Sequence, residues 1–98
     1  RSFYTGLNVR PVNARIAQAL GLDDARGLIV ASVDSDSPAD RAGLQAYDVI
    51  VTIQGEPVAS NDEVRQRLVD NRAGDIVRLG IVRDGQEQDV SLTLGTTG

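Results

Sequence analysis

Residues 37–58 read SPADRAGLQAYDVIVTIQGEPV, and the order of turn formers and aliphatic residues there sets what the rest of the chain must do. The run enters from DSDSPAD at 34–40, whose Pro38 suits the first turn of a helix. Gly43 stops that helix just after Arg41 and Ala42, so it is short. YDVIVTI at 47–53 then has the make-up of a buried strand, and Gln54-Gly55-Glu56-Pro57 turns the chain before Val58.

Working outward, RGLIVASV at 26–33 is a second continuous aliphatic strand. Leu7 to Val12 is extended, and Pro11 keeps it out of a sheet centre unless its missing N–H points away from a partner. Between these, Ile16, Ala17 and Leu20 recur at helical spacing behind Asn13, an N-cap, with Gly21 as the stop. The strongest helix signal is SNDEVRQRLVDN at 60–71. Ser60 with Glu63 makes a capping box, Val64 and Leu68 mark an apolar face, and the helix is expected from Asn61 to Asp70. The chain closes with a hairpin, Val77, Leu79 and Ile81 alternating before Asp84-Gly85 and Val90, Leu92 and Leu94 after it. This order predicts a mainly β, α+β domain: a small half-open β-barrel or sandwich of five to six strands capped by two to three helices.

With 98 residues the chain is one domain, and 41% hydrophobic with 24% charged residues is a globular composition. No apolar run approaches the roughly 20 residues that span a bilayer, so no direct membrane insertion is expected. No signal-peptide pattern opens the chain, which reads as starting inside a longer or processed protein. The net charge is -4 and the ten cations are all Arg, scattered along the chain, which argues against nucleic acid. Without His or Cys the chain holds no Ser/His/Asp or Cys/His machinery and no thiolate zinc site; neither catalytic residues nor a metal or cofactor are expected. The acidic pairs Asp23-Asp24, Asp34 with Asp36, and Asp62-Glu63 fall in turns or a helix's first turn, where carboxylates cap backbone donors.

FYTGLNV at 3–9 raises a separate question, because Gly6 stands between Thr5 and Leu7 at the start of a strand. A glycine packs nothing in a core, but it allows a loop to turn its N–H groups toward one point. Such a nest binds anions, and ahead of a free strand edge the natural anion is the terminal carboxylate of an added peptide strand. The spacing alone leaves open a second reading, in which Gly6 relieves a bulge in the first strand.

YTGL at 4–7, the run from Gly27 to Val58, the helix from Ser60 and the VRDG hairpin together resemble a PDZ domain, most closely those of the HtrA/Deg envelope serine proteases. The resemblance covers nearly the whole chain, as a single domain over 1–95 with 96–98 a tail or linker. It implies that the N–H groups of Thr5, Gly6 and Leu7 receive a peptide carboxylate, that Asn8 and Val9 continue the strand edge from Leu7, and that Arg1 adds charge beside the loop. Asn61, Arg65 and Leu68 share a helix face, which the resemblance assigns to the groove, with Leu68 and Leu7 lining the pocket for the last ligand side chain. It further implies a non-catalytic module in the periplasm or cell envelope. Its partners would be C-terminal or extended peptides of misfolded proteins and the protease domain of the same parent chain. A PDZ domain with a closed groove used for protease assembly, or one from a tail-specific or intramembrane protease, is the alternative. Three positions depart from the family pattern: Thr5 replaces an aliphatic residue in the carboxylate loop, Tyr47 a Gly, and Gln54 an Asn. The last two put stability in question; Thr5 bears on the floor of the terminal pocket.

Overall fold

The computed structural model describes residues 4–96. Its elements are β1 (Leu7–Pro11), α1 (Ala14–Leu20), β2 (Leu28–Val33), α2 (Pro38–Arg41), β3 (Val49–Ile53), β4 (Glu56–Pro57), α3 (Asn61–Arg67), β5 (Ile76–Arg83) and β6 (Gln86–Thr93). The strands form one antiparallel sheet in the order β1-β2-β3-β5-β6, with β4 paired to the end of β3. Tyr4, before β1, and Gly95, after β6, exchange two main-chain hydrogen bonds of 2.8 and 2.9 Å. The ends of the sheet therefore meet at one corner while the outer edge of β1 stays open, which gives the half-open architecture.

Local signals account for most of the helix ends. Asn13 accepts from the Ile16 N–H at 2.8 Å, and Gly21 closes α1 with φ 70°. Ser37 caps α2 through the Asp40 N–H. Ser60 Oγ accepts from the Glu63 N–H at 3.1 Å while the Glu63 carboxylate reaches back to the Ala59 N–H at 2.7 Å. Helix α3 is shorter than its apolar pattern predicts, ending at Arg67 rather than Asp70. Leu68 leaves helical geometry at φ -108° and ψ 8°, and the Asn71 N–H turns back to its carbonyl. The hairpin pairs fully from Ile76↔Thr93 to Arg83↔Gln86 through a turn in which both Asp84 and Gly85 have positive φ.

The main core lies on one face of the sheet. Leu28 and Val30 from β2, Ile50 and Ile53 from β3, and Val77, Leu79 and Ile81 from β5 pack there under Leu68 of the α3 end. Ile50 and Ile53 are three residues apart, which a regular strand would send to opposite faces. A register shift between Ile50 and Thr52 inserts Val51 as an extra residue and returns Ile53 to the core side. On the other face, Val49 meets Val12 and Ala17 beneath α1.

One ion pair ties the segment after α2 to the hairpin. Asp48, 1% exposed, takes both its oxygens to Arg83, at 2.8 Å from Nε and 2.7 Å from Nη2, and also accepts from the Gln45 N–H. Arg83 donates in addition to the Gly43 carbonyl at 2.9 Å, so this carboxylate is both paired and hydrogen-bonded, the condition for burying it. Its bonds to Asp48 push the Arg83 pKa above its ordinary value.

Both turn departures show a backbone consequence. Gln54 has φ 53° and is held there by a pair of bonds with Arg78, its N–H to the Arg78 carbonyl at 2.8 Å and its Oε1 from the Arg78 N–H at 3.0 Å. Tyr47 has φ 76° and is 71% exposed, so a left-handed conformation is held with little side-chain packing in return. Tyr47→Gly should relieve a strain of about 1–2 kcal/mol, less about 0.5–1 kcal/mol of added unfolded-state entropy. The net gain, up to about 1.5 kcal/mol, is read by urea denaturation; a loss of stability would show that the ring holds the turn.

Candidate functional site

The loop before β1 is built by its carbonyls. That of Tyr4 accepts from the Gly95 N–H at 2.9 Å, that of Thr5 from the Ala39 N–H of α2 at 2.9 Å, and that of Gly6 from the Asp34 N–H at 2.9 Å. In a trans peptide the N–H of the next residue points opposite to the carbonyl. Anchoring those carbonyls therefore aims the N–H groups of Thr5, Gly6 and Leu7 away from the body of the domain.

Gly6 is required here for two reasons. Its φ is 81°, in the left-handed region, and a Cβ built on it would lie 2.1 Å from the Cβ of Ser37. Ser37 cannot yield, because it is 1% exposed, donates to the Asp34 carbonyl at 2.7 Å and caps α2. The Tyr4 hydroxyl, 2.5 Å from the Asp34 carboxylate, closes the outside of the same corner. That hydrogen bond raises the Tyr4 pKa, because an ionised phenol would sit against a carboxylate. The bond is intact below the ordinary phenol pKa and is lost as pH rises through the raised one, so the corner keeps it at neutral pH.

The same geometry fixes the outer edge of β1. The Asp34 bond to Gly6 makes Leu7 and Val33 a pair with no hydrogen bond between them, so the Leu7 main chain faces outward. Val30, opposite Val9, spends its N–H and carbonyl on Asp48 and Tyr47 on its other side, so Val9 also faces outward. Asn8 lies between them, turned to β2, and its side chain donates to Ser32 Oγ at 2.9 Å. By the same alternation Pro11 faces out, where its missing N–H leaves no partner unpaired.

Across from this edge stands α3, and between the two is a small apolar cleft of about 110 Å³. Thr5, Leu7 and Val9 line one side, Asn61, Val64 and Leu68 the other, and buried core side chains such as Leu28 and Leu79 the floor. Among the described residues, no charged side chain lines it. Broader hollows of about 360–390 Å³ lie elsewhere on the surface, but none is flanked by the outward-facing main chain of β1. Small-molecule sites run to about 300–1,000 Å³, so this cleft suits a single aliphatic side chain beside an extended main chain.

Of the residues expected from sequence, Thr5, Leu7, Val9, Asn61 and Leu68 come together at the cleft, with Gly6 in the loop at its end. Arg65 stands outside the lining, its side chain 72% exposed and paired with Asp62. Arg1 lies outside the described residues. Val64 was not assigned to the groove; a helical wheel offers it as an apolar position, but only the docking of α3 shows that it faces the cleft.

Residues 5–94 match the family model described as PDZ domain. A probable periplasmic serine endoprotease DegP-like of Ectopseudomonas mendocina (strain ymp) is 33% identical over 93 residues, 95% of this chain and 20% of that protein. The chain spans about a fifth of the length of the curated relatives it matches. Among solved structures, the HtrA-type protease AlgW with decapeptide superposes with a TM-score of 0.84 at 28% identity, covering 98% of this chain and 30% of that one. The HtrA3 PDZ domain bound to a phage-derived ligand shares the fold, with a TM-score of 0.78 at 22% identity over 95% of this chain and 85% of that one.

If Gly6 serves both the backbone and the approach to Ser37, Gly6→Ala should cost well over the about 1 kcal/mol of a left-handed alanine alone. Gly43 has φ 90° with open space around it, so Gly43→Ala supplies the reference for backbone strain alone. Urea denaturation of both variants checks this; equal losses would mean that the Ser37 approach carries no constraint.

Proposed function

This chain belongs to the PDZ domain family, and on that footing we propose that it captures free C-termini and extended segments of other polypeptides by strand addition at the outer edge of β1. The observation that carries this reading is the set of anchored carbonyls at Tyr4, Thr5 and Gly6, which aims a row of N–H donors outward at the end of an open strand edge. A terminal carboxylate placed there accepts from Thr5, Gly6 and Leu7, and the peptide behind it pairs with the outward main chain of Leu7 and Val9. Asn8 sets the course of the strand between them. The last ligand side chain enters the apolar cleft between Leu7 and Leu68, with Val64 beside it. Asn61 and Arg65 meet the ligand further from its terminus, and Arg1 adds charge beside the loop.

The parent protein in this reading is an HtrA-type serine protease of the periplasm or cell envelope. Support comes from the relatives named as periplasmic DegP-like endoproteases and from AlgW, solved with a decapeptide. The module delivers misfolded envelope proteins to the protease domain of its own chain or senses them for it, and the chemistry of cleavage resides outside these 98 residues, which contain no His. Affinity is modest, because a few extended residues bury little area and must be ordered on binding.

Calorimetric titration with heptapeptides ending in Val, once with a free carboxylate and once amidated, tests the reading. The free acid is expected to bind at least about tenfold more tightly, since charge-assisted bonds to backbone N–H groups are worth roughly 1.5–3 kcal/mol. Equal affinities would contradict carboxylate capture.

A further inference from the structure

The Leu7 N–H already has an acceptor within the chain. Thr5 Oγ1 accepts from it at 3.2 Å, across two residues, at the mouth of the cleft that Thr5 itself lines. The Thr5 carbonyl is held by Ala39 at the same time, so the residue is fixed from its main chain and its hydroxyl hangs over the donor row. We propose that the Thr5 hydroxyl is an internal competitor for the ligand carboxylate: it satisfies the Leu7 donor while the cleft is empty, and a terminal carboxylate must displace it to bind. The proposal rests on the carboxylate-capture reading and adds to it a residue that sets affinity.

One N–H is shared by alternative acceptors, an internal neutral oxygen and an incoming carboxylate. The carboxylate wins the exchange because ionised acceptors bond more strongly than a hydroxyl. The hydroxyl nevertheless lowers the net gain, since the empty site no longer holds an unmet donor beside apolar walls. An aliphatic residue in its place cannot accept, and leaves the Leu7 N–H waiting for a ligand. Thr5 thus weakens capture in general and makes it depend on a full carboxylate charge, so that internal segments, which offer only neutral carbonyls, are disfavoured further.

The test uses the 98-residue chain and its Thr5→Val and Thr5→Ser variants, titrated with the Val-terminated heptapeptide as free acid and as amide. Thr5→Val keeps the side-chain shape and leaves the main-chain bond to Ala39 untouched. It should bind the free acid about three- to tenfold more tightly than the parent, the equivalent of one recovered hydrogen bond. Thr5→Ser retains the oxygen and should stay within about twofold of the parent. Amide hydrogen exchange of the free proteins gives an independent reading, with Leu7 exchanging faster in Thr5→Val and unchanged in Thr5→Ser. Unaltered or weaker binding by Thr5→Val would overturn the proposal, because the hydroxyl would then be idle or would touch the ligand itself. If the parent fails to distinguish acid from amide, carboxylate capture falls and the competitor role falls with it. A parent that does distinguish them, with a Thr5→Val variant no tighter, defeats the competitor role alone.

Discussion

Consecutive carbonyls at Tyr4, Thr5 and Gly6 are each claimed by a donor from a different part of the chain: the end of β6, the first turn of α2, and the end of β2. Everything proposed for the cleft depends on that anchoring. Without it the loop before β1 would have no reason to present its N–H groups outward. The close approach of Gly6 to Ser37 is what lets the loop sit low enough on α2 for the Thr5 and Gly6 bonds to form.

This constraint explains why an α2 of only Pro38–Arg41 is kept. Its residues contribute little length to the core, yet Ser37 packs beneath Gly6 and Ala39 donates to Thr5. The ion pair of buried Asp48 with the partly exposed Arg83 fixes the segment that follows α2 against the β5–β6 hairpin. That fixed platform then carries the loop. The helix on the other side of the cleft is held differently, by its capping box and by Leu68 in the core that Leu7 and Val9 also pack against.

Features that depend on neighbours in sequence were legible from it. The caps at Asn13 and Ser60, the stop at Gly21 and the Asp84-Gly85 turn each act within a few residues, and the composition of those few residues is enough to specify them. The nest around Gly6 was half legible. Its glycine signals a positive φ, but the reason it tolerates nothing larger is a residue some thirty positions away, which no local pattern reports. Likewise Val64 and Arg65 are consecutive in α3 and point about 100° apart, and the choice between them as cleft wall is made by the docking of α3 and its early end at Leu68. The two-residue β4 arises from pairing with β3, and the extra residue at Val51 from the pairing of β3 with β5; neither carries a periodic signal of its own. Tyr47 stood out as a departure, and the structure turns that departure into a backbone strain.

The central claim is that a peptide carboxylate is held by main-chain donors of this loop, and the most direct measurement is an amide-resolved NMR titration of the 98-residue chain with the free-acid peptide. The account predicts that the largest shifts fall on Thr5, Gly6 and Leu7, with smaller ones along Val9 and from Asn61 to Leu68, and that the hairpin turn at Asp84-Gly85 stays still. Shifts centred elsewhere, or a loop that does not respond while the peptide binds, would contradict it.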